Sequence, residues 1–281
     1  MKPMLFRLFL LSVTLVITMS FTQSINGQEL KHMNLHYGAD VKQTLDIYTP
    51  SGKESINHPV IIYIHGGGWM RGDKSNVSDK PSFYTNRGYV FISVNYRLHP
   101  NATYNDMAND ISTAVKWVYD RADQYHIDKQ RLNLMGHSAG GHLVMLIGTD
   151  HSYLQHAGIP ANTVQSIVNL DGPIDLVKFL PKNEQYKEVF GYDRNAWMEA
   201  SPAANAVNQH LPPMLLVTQN RNSVFDFIEK TKSAGNSADI FVTHSLTHRE
   251  ITKLLGSNNN SAEAMSLTKA VEDFLKTNNS M

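Results

Sequence analysis

The segment RLNLMGHSAGGHLVMLIG, residues 131–148, decides the fold predicted for this chain of 281 residues. A short apolar run precedes the pentapeptide GHSAG at 136–140, and a second apolar run with helical spacing follows it. Strand, sharp turn and helix in this order form the setting in which a Gly-x-Ser-x-Gly motif lifts a serine above a sheet. Glycines two residues before and after Ser138 leave room for the strained turn. The segment therefore predicts Ser138 as a nucleophile.

Strands of the buried type alternate with helical segments on both sides of this motif. The run PVIIYI at 59–64 is apolar almost throughout, as in strands covered on both faces of a parallel sheet. Similar runs occur at 89–94, 131–135, 165–170 and 214–218, and residues 238–243 could form the last strand. Alternating residues at 32–37 and 44–48 predict an antiparallel hairpin that opens the sheet. The pattern predicts an α/β fold with a mainly parallel central sheet and helices on both faces.

One segment, at about 173–212, interrupts this alternation between the sixth and seventh predicted strands. It contains four aromatic residues among polar ones, namely Tyr186, Phe190, Tyr192 and Trp197. Its position lies over the carboxyl ends of the strands, where ligands bind in open α/β folds. We predict a small cap over a pocket. A surface excursion whose aromatic residues only pack is the alternative.

The composition is that of an ordinary globular protein, with 42% hydrophobic and 18% charged residues. Because 25 basic residues balance 25 acidic ones, nothing in the charge favours nucleic acid, a membrane surface or a polyanion as partner. The chain has no cysteine, and its 13 histidines follow no metal-binding spacing. We therefore expect no metal and no cofactor.

The N-terminus predicts a secretory signal at residues 1–24. Lys2 and Arg7 precede the apolar run at 8–19, and small or polar residues follow it. This run is short for a membrane span, and its flanks match a signal peptide. We expect a single domain at 25–281 that is exported to the periplasm or the medium, with no stable membrane span once the signal is removed. An uncleaved membrane anchor is the alternative.

A glycine-rich loop, HGGGW at 65–69, follows the first buried strand. Three consecutive glycines cost backbone entropy and add nothing to a core, so they point to backbone amides that approach a ligand. In acyl transfer this ligand is the oxyanion of a tetrahedral intermediate. The amides of Gly67, Gly68 and Ala139 are the expected donors. A phosphate cradle is the alternative, but the motifs of phosphate loops are missing.

Four motifs together make the chain resemble the hormone-sensitive-lipase-like branch of the α/β-hydrolases, in particular its small secreted carboxylesterases. They are HGGGW at 65–69, YRLHP at 96–100, GHSAGGH at 136–142 and THREI at 247–251. The resemblance extends from about residue 35 to the end. It implies an α/β-hydrolase fold, a triad in the chain order Ser, acid, His, and an ester or similar acyl substrate.

The resemblance implies a histidine base after the last strand, where His244 and His248 both occur. We prefer His248 because Thr247 to Ile251 opens a short helix and is similar to the family's His-x-x-Ile pattern. His244 is the second candidate. A base here would take the Ser138 proton and return it to the leaving alcohol.

The acid departs from the family pattern, which places an aspartate in the loop after the strand at 214–218. The loop here reads QNRN at 219–222 and contains no carboxylate, so that Asn222 occupies the expected place. We predict Asp171, directly after the strand at 165–170, as the acid. Asn222 as an uncharged orienting group is second and Asp226 third. Asp171 could equally be a turn residue before Gly172.

These residues predict hydrolysis of a small carboxylic ester through an acyl-serine intermediate. Trp69 and the aromatic residues of the cap would shape the substrate pocket. Little sequence precedes the first strand after the signal, so we expect an accessible pocket for short acyl groups, such as acetyl or feruloyl esters of sugars. The sequence leaves the oligomeric state open.

Two other functions remain open at this point. Formamidases and some peptidases share the fold and the nucleophile motif, so an amide could be the substrate. The chain could also be a pseudoenzyme that binds a small ligand, as the plant gibberellin receptors resemble these esterases without hydrolysing their hormone. The missing acid favours a pseudoenzyme, whereas Ser138, His248 and the HGGG loop favour an enzyme.

Overall fold

A computed structural model describes residues 30–52, 56–219, 221–258 and 261–279. The predicted signal at residues 1–24 lies outside the described residues. The strands of the described part are β1 (Leu30–His36), β2 (Thr44–Thr49), β3 (His58–Ile64), β4 (Val90–Val94), β5 (Ile127–His137), β6 (Val164–Leu170), β7 (Met214–Thr218) and β8 (Ala238–Val242). They form one sheet in the order β1-β2-β4-β3-β5-β6-β7-β8.

The pairing of the strands confirms the mainly parallel sheet. Strand β2 is antiparallel to both β1 and β4, and every other neighbouring pair of the described strands is parallel. The hairpin expected at the start of the sheet is therefore β1 and β2. Each parallel pair needs a crossover connection, which explains why helices separate the later strands.

Helices cover both faces of the sheet. They are α1 (Lys80–Thr85), α2 (Tyr104–Asp120), α3 (Ala139–Thr149), α4 (Ser152–His156), α5 (Leu176–Phe179), α6 (Lys187–Phe190), α7 (Arg194–Glu199), α8 (Asn222–Ser233), α9 (His248–Lys253) and α10 (Ala262–Asn279). Short 3-10 turns occur at Ala122–Tyr125, Ala161–Thr163, Leu180–Lys182, Glu184–Tyr186 and Pro202–Asn205. None of the helices in the described ranges is long and apolar enough to cross a membrane.

Strand β3 divides its side chains between two hydrophobic layers. Val60, Ile62 and Ile64 pack in the layer that contains α2, α3 and α8. Ile61 and Tyr63 pack in the opposite layer, which contains α1, α9 and α10. Successive residues of a strand point to opposite faces, so a strand buried on both sides needs apolar residues at nearly every position. This requirement explains the continuous apolar run at 59–64.

The register of the central strands brings their carboxyl ends to one edge. Gly136 of β5 pairs with Ile64 of β3, and His137 pairs with Leu170 of β6. The Ser138 amide donates to Leu170 O at 3.0 Å, and the Asp171 amide donates to Val217 O at 2.9 Å. The loops that follow β3, β5, β6 and β7 therefore meet at this edge, which is where open α/β folds bind ligands.

The segment between β6 and β7, predicted as a cap, contains α5, α6, α7 and three of the 3-10 turns. Its aromatic residues do not all have the same environment. Phe190 and Trp197 are buried, whereas Tyr192 is 77% exposed. The rings of Phe179, Tyr186 and Phe190 contact the ring of Trp69 edge to face, so part of the segment lies on the HGGGW loop.

Candidate active site

Ser138 occupies the tight turn between β5 and α3 with a backbone conformation of φ 55° and ψ −119°. A non-glycine residue with positive φ is strained, and such strain is common at functional sites. The turn depends on close backbone approach, because a Cβ atom at Gly140 would overlap the carbonyl oxygen of Ile64. The Ser138 hydroxyl has no hydrogen-bond partner among the described residues, so it is free to rotate.

The HGGGW loop presents two unpaired amides beside this turn. Gly67 has a φ of 132°, and a Cβ atom there would overlap the carbonyl oxygen of Arg71, so only glycine fits. The amides of Gly67 and Gly68 donate to no acceptor in the described part of the chain. The amide of Ala139 lies in the first turn of α3, where amides have no intrahelical acceptor. These three amides are available to an oxyanion.

The structure brings His248 and Asp171 together. His248 is the first residue of α9, and Thr247 with Glu250 forms a capping box that fixes where this helix begins. The Nδ1 atom of His248 lies 2.6 Å from Asp171 Oδ2, a short charge-assisted contact. Asp171 follows β6 with a φ of 56°, and its side chain is fully buried. An aspartate tolerates this left-handed conformation better than most residues.

The other candidates for base and acid lie away from this pair. His244 is exposed, and its backbone amide donates to Glu263. Asn222 is exposed in the first turn of α8. Asp226 forms an exposed ion pair with Lys178, at 2.7 Å. Of the three acid candidates, the geometry therefore favours Asp171.

His137, the residue before Ser138, hydrogen-bonds to the backbone of the candidate base His248. Its Nε2–H donates to the backbone carbonyl of His248 at 2.9 Å, and the two imidazole rings lie 4.7 Å apart. Burial, and then the neighbouring His248, lowers the pKa of His137 to about 3. His137 therefore stays neutral at ordinary pH. It holds the backbone of His248 without competing for its proton.

Trp69 is covered by an aromatic wall, the rings of Phe179, Tyr186 and Phe190 in the cap segment. Only 1% of it is exposed. Its Nε1–H donates to His142 Nδ1 at 3.2 Å, and His142 Nε2–H donates to Ala200 O at 2.7 Å. His142 thus joins the HGGGW loop, helix α3 and the cap segment. Direct contact of Trp69 with a substrate stays a prediction.

The neutral form of His142 makes the stability of the fold depend on pH. Burial lowers the pKa of His142 to about 4, whereas an unfolded histidine takes up its proton near pH 6.5. The unfolded chain therefore binds more protons between these values, and stability falls as the pH falls from 6.5 to 4. The shift corresponds to about 3 kcal/mol.

We expect His142→Gln to lower the free energy of unfolding at pH 7 but to weaken its pH dependence. Urea unfolding at pH 7 and pH 4.5 measures both effects. His36→Gln, at an exposed histidine of β1, is the control and should keep the wild-type dependence. An equal loss of stability on acidification in wild type and His142→Gln would contradict this interpretation.

Sequence reasoning missed Arg221, His137 and His142. Arg221 lies beside Asp171, with its Nη2 atom 3.0 Å from Oδ2 and its Nη1–H donating to the Asp171 carbonyl at 3.0 Å. The sequence does contain a signal for Arg221: an arginine lies in the loop where the family places its acid. A partly buried cation at this place needs a carboxylate nearby, for example at the end of a neighbouring strand. The two histidines carried a weaker signal, since His137 occupies a variable position of the Gly-x-Ser-x-Gly motif and His142 follows it.

A parallel sheet with a serine elbow, a histidine after the last strand and an aspartate beside it defines an α/β-hydrolase. The sequence matches the BD-FAE family over residues 45–232, more than half of the chain. The chain belongs to this α/β-hydrolase family.

Comparisons with individual proteins give esterases and a formamidase. Esterase LipC of Mycobacterium tuberculosis is 26% identical over 225 residues, which are 72% of this chain and 55% of LipC. Kynurenine formamidase of Salmo salar is 31% identical over 132 residues, 47% of this chain and 43% of that protein. Thermogutta terrifontis esterase 2, phosphonylated by sarin, has the same fold with a TM-score of 0.71 at 19% identity, covering 90% of this chain and 95% of the esterase. The chain spans about half the length of the curated relatives it matches.

Proposed function

We propose that this chain hydrolyses carboxylic esters with Ser138 as nucleophile, His248 as general base and Asp171 as the acid of the triad. The observation that carries the proposal is the 2.6 Å contact between His248 Nδ1 and a buried carboxylate, next to the strained serine turn. A carboxylate on Nδ1 leaves Nε2 as the proton acceptor and stabilises the imidazolium that forms. The esterases among the relatives support the same chemistry.

In the first half of the reaction, Ser138 Oγ attacks the ester carbonyl while its proton passes to His248 Nε2. The carbonyl oxygen becomes an oxyanion that accepts hydrogen bonds from Gly67, Gly68 and Ala139. Collapse of the tetrahedral intermediate breaks the bond to the alcohol, which leaves with the proton from His248. In the second half a water molecule gives its proton to His248, attacks the acyl group and releases the acid, and the proton returns to Ser138.

We propose short acyl groups, such as acetyl or feruloyl, on a sugar as the substrate class. The aromatic wall supports this: the Phe179 ring stacks on Tyr186 at 6.0 Å, and a Cβ atom at Gly68 would lie 2.6 Å from Tyr186 Cε1. Tyr186 therefore closes off space directly beside one of the oxyanion donors. A planar group can stack against these rings, whereas the close approach of Tyr186 to Gly68 disfavours a long flexible chain at this place.

A cavity of about 520 Å³ next to Arg221 could accept the alcohol part of the ester. Amide, hydroxyl and lysine side chains line it together with one aromatic ring. The lining residues are Pro173, Ile174, Asp175, Lys178, Phe179, Lys182, Asn183, Arg221, Asn222 and Ser223. Polar groups around an apolar surface suit a sugar, whose hydroxyls need partners and whose C–H faces pack on rings.

We expect kcat/KM for an acetyl ester of 4-nitrophenol to exceed that for the dodecanoyl ester by more than tenfold, since about tenfold or more can follow from a single misfitting methylene. Initial rates with acetyl, butanoyl, octanoyl and dodecanoyl esters test this, with Ser138→Ala as background. Hydrolysis of long triglycerides at the rate of acetyl esters would contradict the proposed substrate class.

The formamidase among the relatives makes an amide the second candidate. Amide and ester hydrolysis share the acyl-serine steps and differ in the leaving group. The same panel therefore includes N-formyl and N-acetyl anilides beside phenyl acetate. A higher kcat/KM for an anilide than for phenyl acetate would assign the chain to amide hydrolysis and contradict the ester proposal.

A further inference from the structure

Arg221 contacts one residue, Asp171, through one ion pair and one hydrogen bond. Its Nη2 atom lies 3.0 Å from the carboxylate Oδ2, and its Nη1–H donates to the Asp171 backbone carbonyl at 3.0 Å. Arg221 directly precedes α8, in the loop that follows β7. It thus reaches across from one strand end to the next and holds both the backbone and the side chain of the residue that we propose as the acid.

Without Arg221 the carboxylate of Asp171 would have few donors. Within the described part of the chain, its Oδ1 atom accepts one hydrogen bond, from the Gln219 amide at 3.4 Å, which is long. Its Oδ2 atom is shared between His248 and Arg221. Arg221 places a guanidinium beside the carboxylate. A buried carboxylate without a counter-charge is strongly disfavoured.

We propose that Arg221 is a positioning residue that holds the Asp171 carboxylate in place and directed at His248 Nδ1, in place of an acid on the β7 loop. This inference rests on the proposed function. A guanidinium on the carbonyl and the carboxylate together also fixes the left-handed backbone of Asp171, at φ 56°. Arg221 therefore acts on the chemical step through Asp171.

The charge of Arg221 has a predictable effect on the base. Its positive charge offsets part of the Asp171 charge that stabilises protonated His248, so removing it makes His248 harder to deprotonate. The acid limb of the activity profile then moves to higher pH. Three other titratable groups lie near His248. His137 is neutral, Glu250 is engaged with Thr247, and Lys80 of α1 donates to Thr252 O with a pKa that burial lowers to about 7. Because wild type and the Arg221 variants share these groups, a difference between their acid limbs reports on Arg221.

The test is the pH profile of kcat/KM for a short acyl ester in wild type, Arg221→Met and Arg221→Lys. We expect Arg221→Met to lose about 10²-fold in kcat, as small misplacements of catalytic groups do, and its acid limb to move to higher pH. Arg221→Lys keeps the positive charge but cannot contact the carboxylate and the backbone carbonyl of Asp171 together. Its acid limb should stay near the wild-type position, and its kcat should fall by less than that of Arg221→Met. A wild-type profile and rate in Arg221→Met would overturn the proposal.

Arg97→Met is the matched control. Arg97 pairs with Asp110 in a setting like that of Arg221 and Asp171, with side-chain exposures of 30% and 2% against 29% and 0%. Arg97→Met should lower the melting temperature without moving the acid limb of the kcat/KM profile. An equal shift in Arg97→Met would show a general effect of stability and overturn the role of Arg221.

A third variant covers failure of Arg221→Met to fold. In Arg221→Ala, added methylguanidinium should restore part of kcat, and methylammonium should restore less. Equal restoration by both cations would contradict the geometric role. If the wild-type protein does not hydrolyse esters, the proposed function itself is refuted. This outcome differs from an active wild type with an unaffected Arg221→Met, which refutes only the role of Arg221.

Discussion

Replacing Ser138 with alanine should lower kcat for a short acyl ester by about 10⁶-fold, the order found when a serine nucleophile is removed from a triad. The reason is local. Ser138 sits at φ 55° between β5 and α3, and the unpaired amides of Gly67 and Gly68 lie in the adjacent loop. Without the hydroxyl, only polarisation by these amides remains, and no acyl-enzyme can form.

Steady-state hydrolysis of 4-nitrophenyl acetate measures this loss. The control is Ser266→Ala, at an exposed serine of α10 whose hydroxyl donates to Ala262 O, and its kcat should equal that of wild type. If Ser138→Ala kept more than about one hundredth of the wild-type kcat, the loss would be far below that expected of a nucleophile.

Asp171→Asn should lower kcat by about 10⁴-fold, because an amide of the same shape favours the wrong histidine tautomer and does not stabilise the imidazolium. Asp171 is the only acid candidate of the three whose side chain contacts His248, at 2.6 Å. The same substitution leaves Arg221 without its carboxylate. Since the Arg221 side chain is 29% exposed, water can solvate part of the guanidinium, and we expect the variant to remain folded.

Asn222→Ala and Asp226→Asn are the matched comparisons for Asp171→Asn. Both residues are exposed on the first turns of α8, and Asp226 is paired with Lys178. We expect kcat of Asp226→Asn within about twofold of wild type, as for a surface position away from the reacting groups. Asn222 lines the cavity proposed for the alcohol, so we expect Asn222→Ala to change KM and to lower kcat by less than tenfold. A tenfold loss in Asn222→Ala together with an active Asp171→Asn would move the acid function to Asn222.

Local sequence was sufficient to predict the fold and to propose Ser138 as the nucleophile, because both predictions use short-range patterns. The apolar run at 59–64 fills two layers at once, which only a strand in the middle of the sheet requires. The strained turn at Ser138 brings Gly140 so close to β3 that a Cβ atom there would lie 2.2 Å from the carbonyl oxygen of Ile64, and the sequence shows this glycine directly. His248 was predictable from its position at the start of a capped helix after the last strand.

The acid was harder to predict because it depends on contacts between distant segments. Asp171 and His248 are 77 residues apart in sequence, and their approach follows from the order of β6, β7 and β8 in the sheet. An aspartate before a glycine is also a common turn residue. In the structure, the guanidinium of Arg221 beside the carboxylate favours a triad role for Asp171 over a turn role. No sequence motif links Arg221 to position 171.

A crystal structure of the protein after reaction with a phosphonate inhibitor tests the proposed triad most directly. We expect phosphorus covalently bonded to Ser138 Oγ, with the phosphoryl oxygen about 2.7–3.1 Å from the amides that form an oxyanion hole. We also expect His248 Nδ1 to remain hydrogen-bonded to Asp171. An adduct on another residue, or a His248 ring that turns from Asp171 to Asn222, would contradict it.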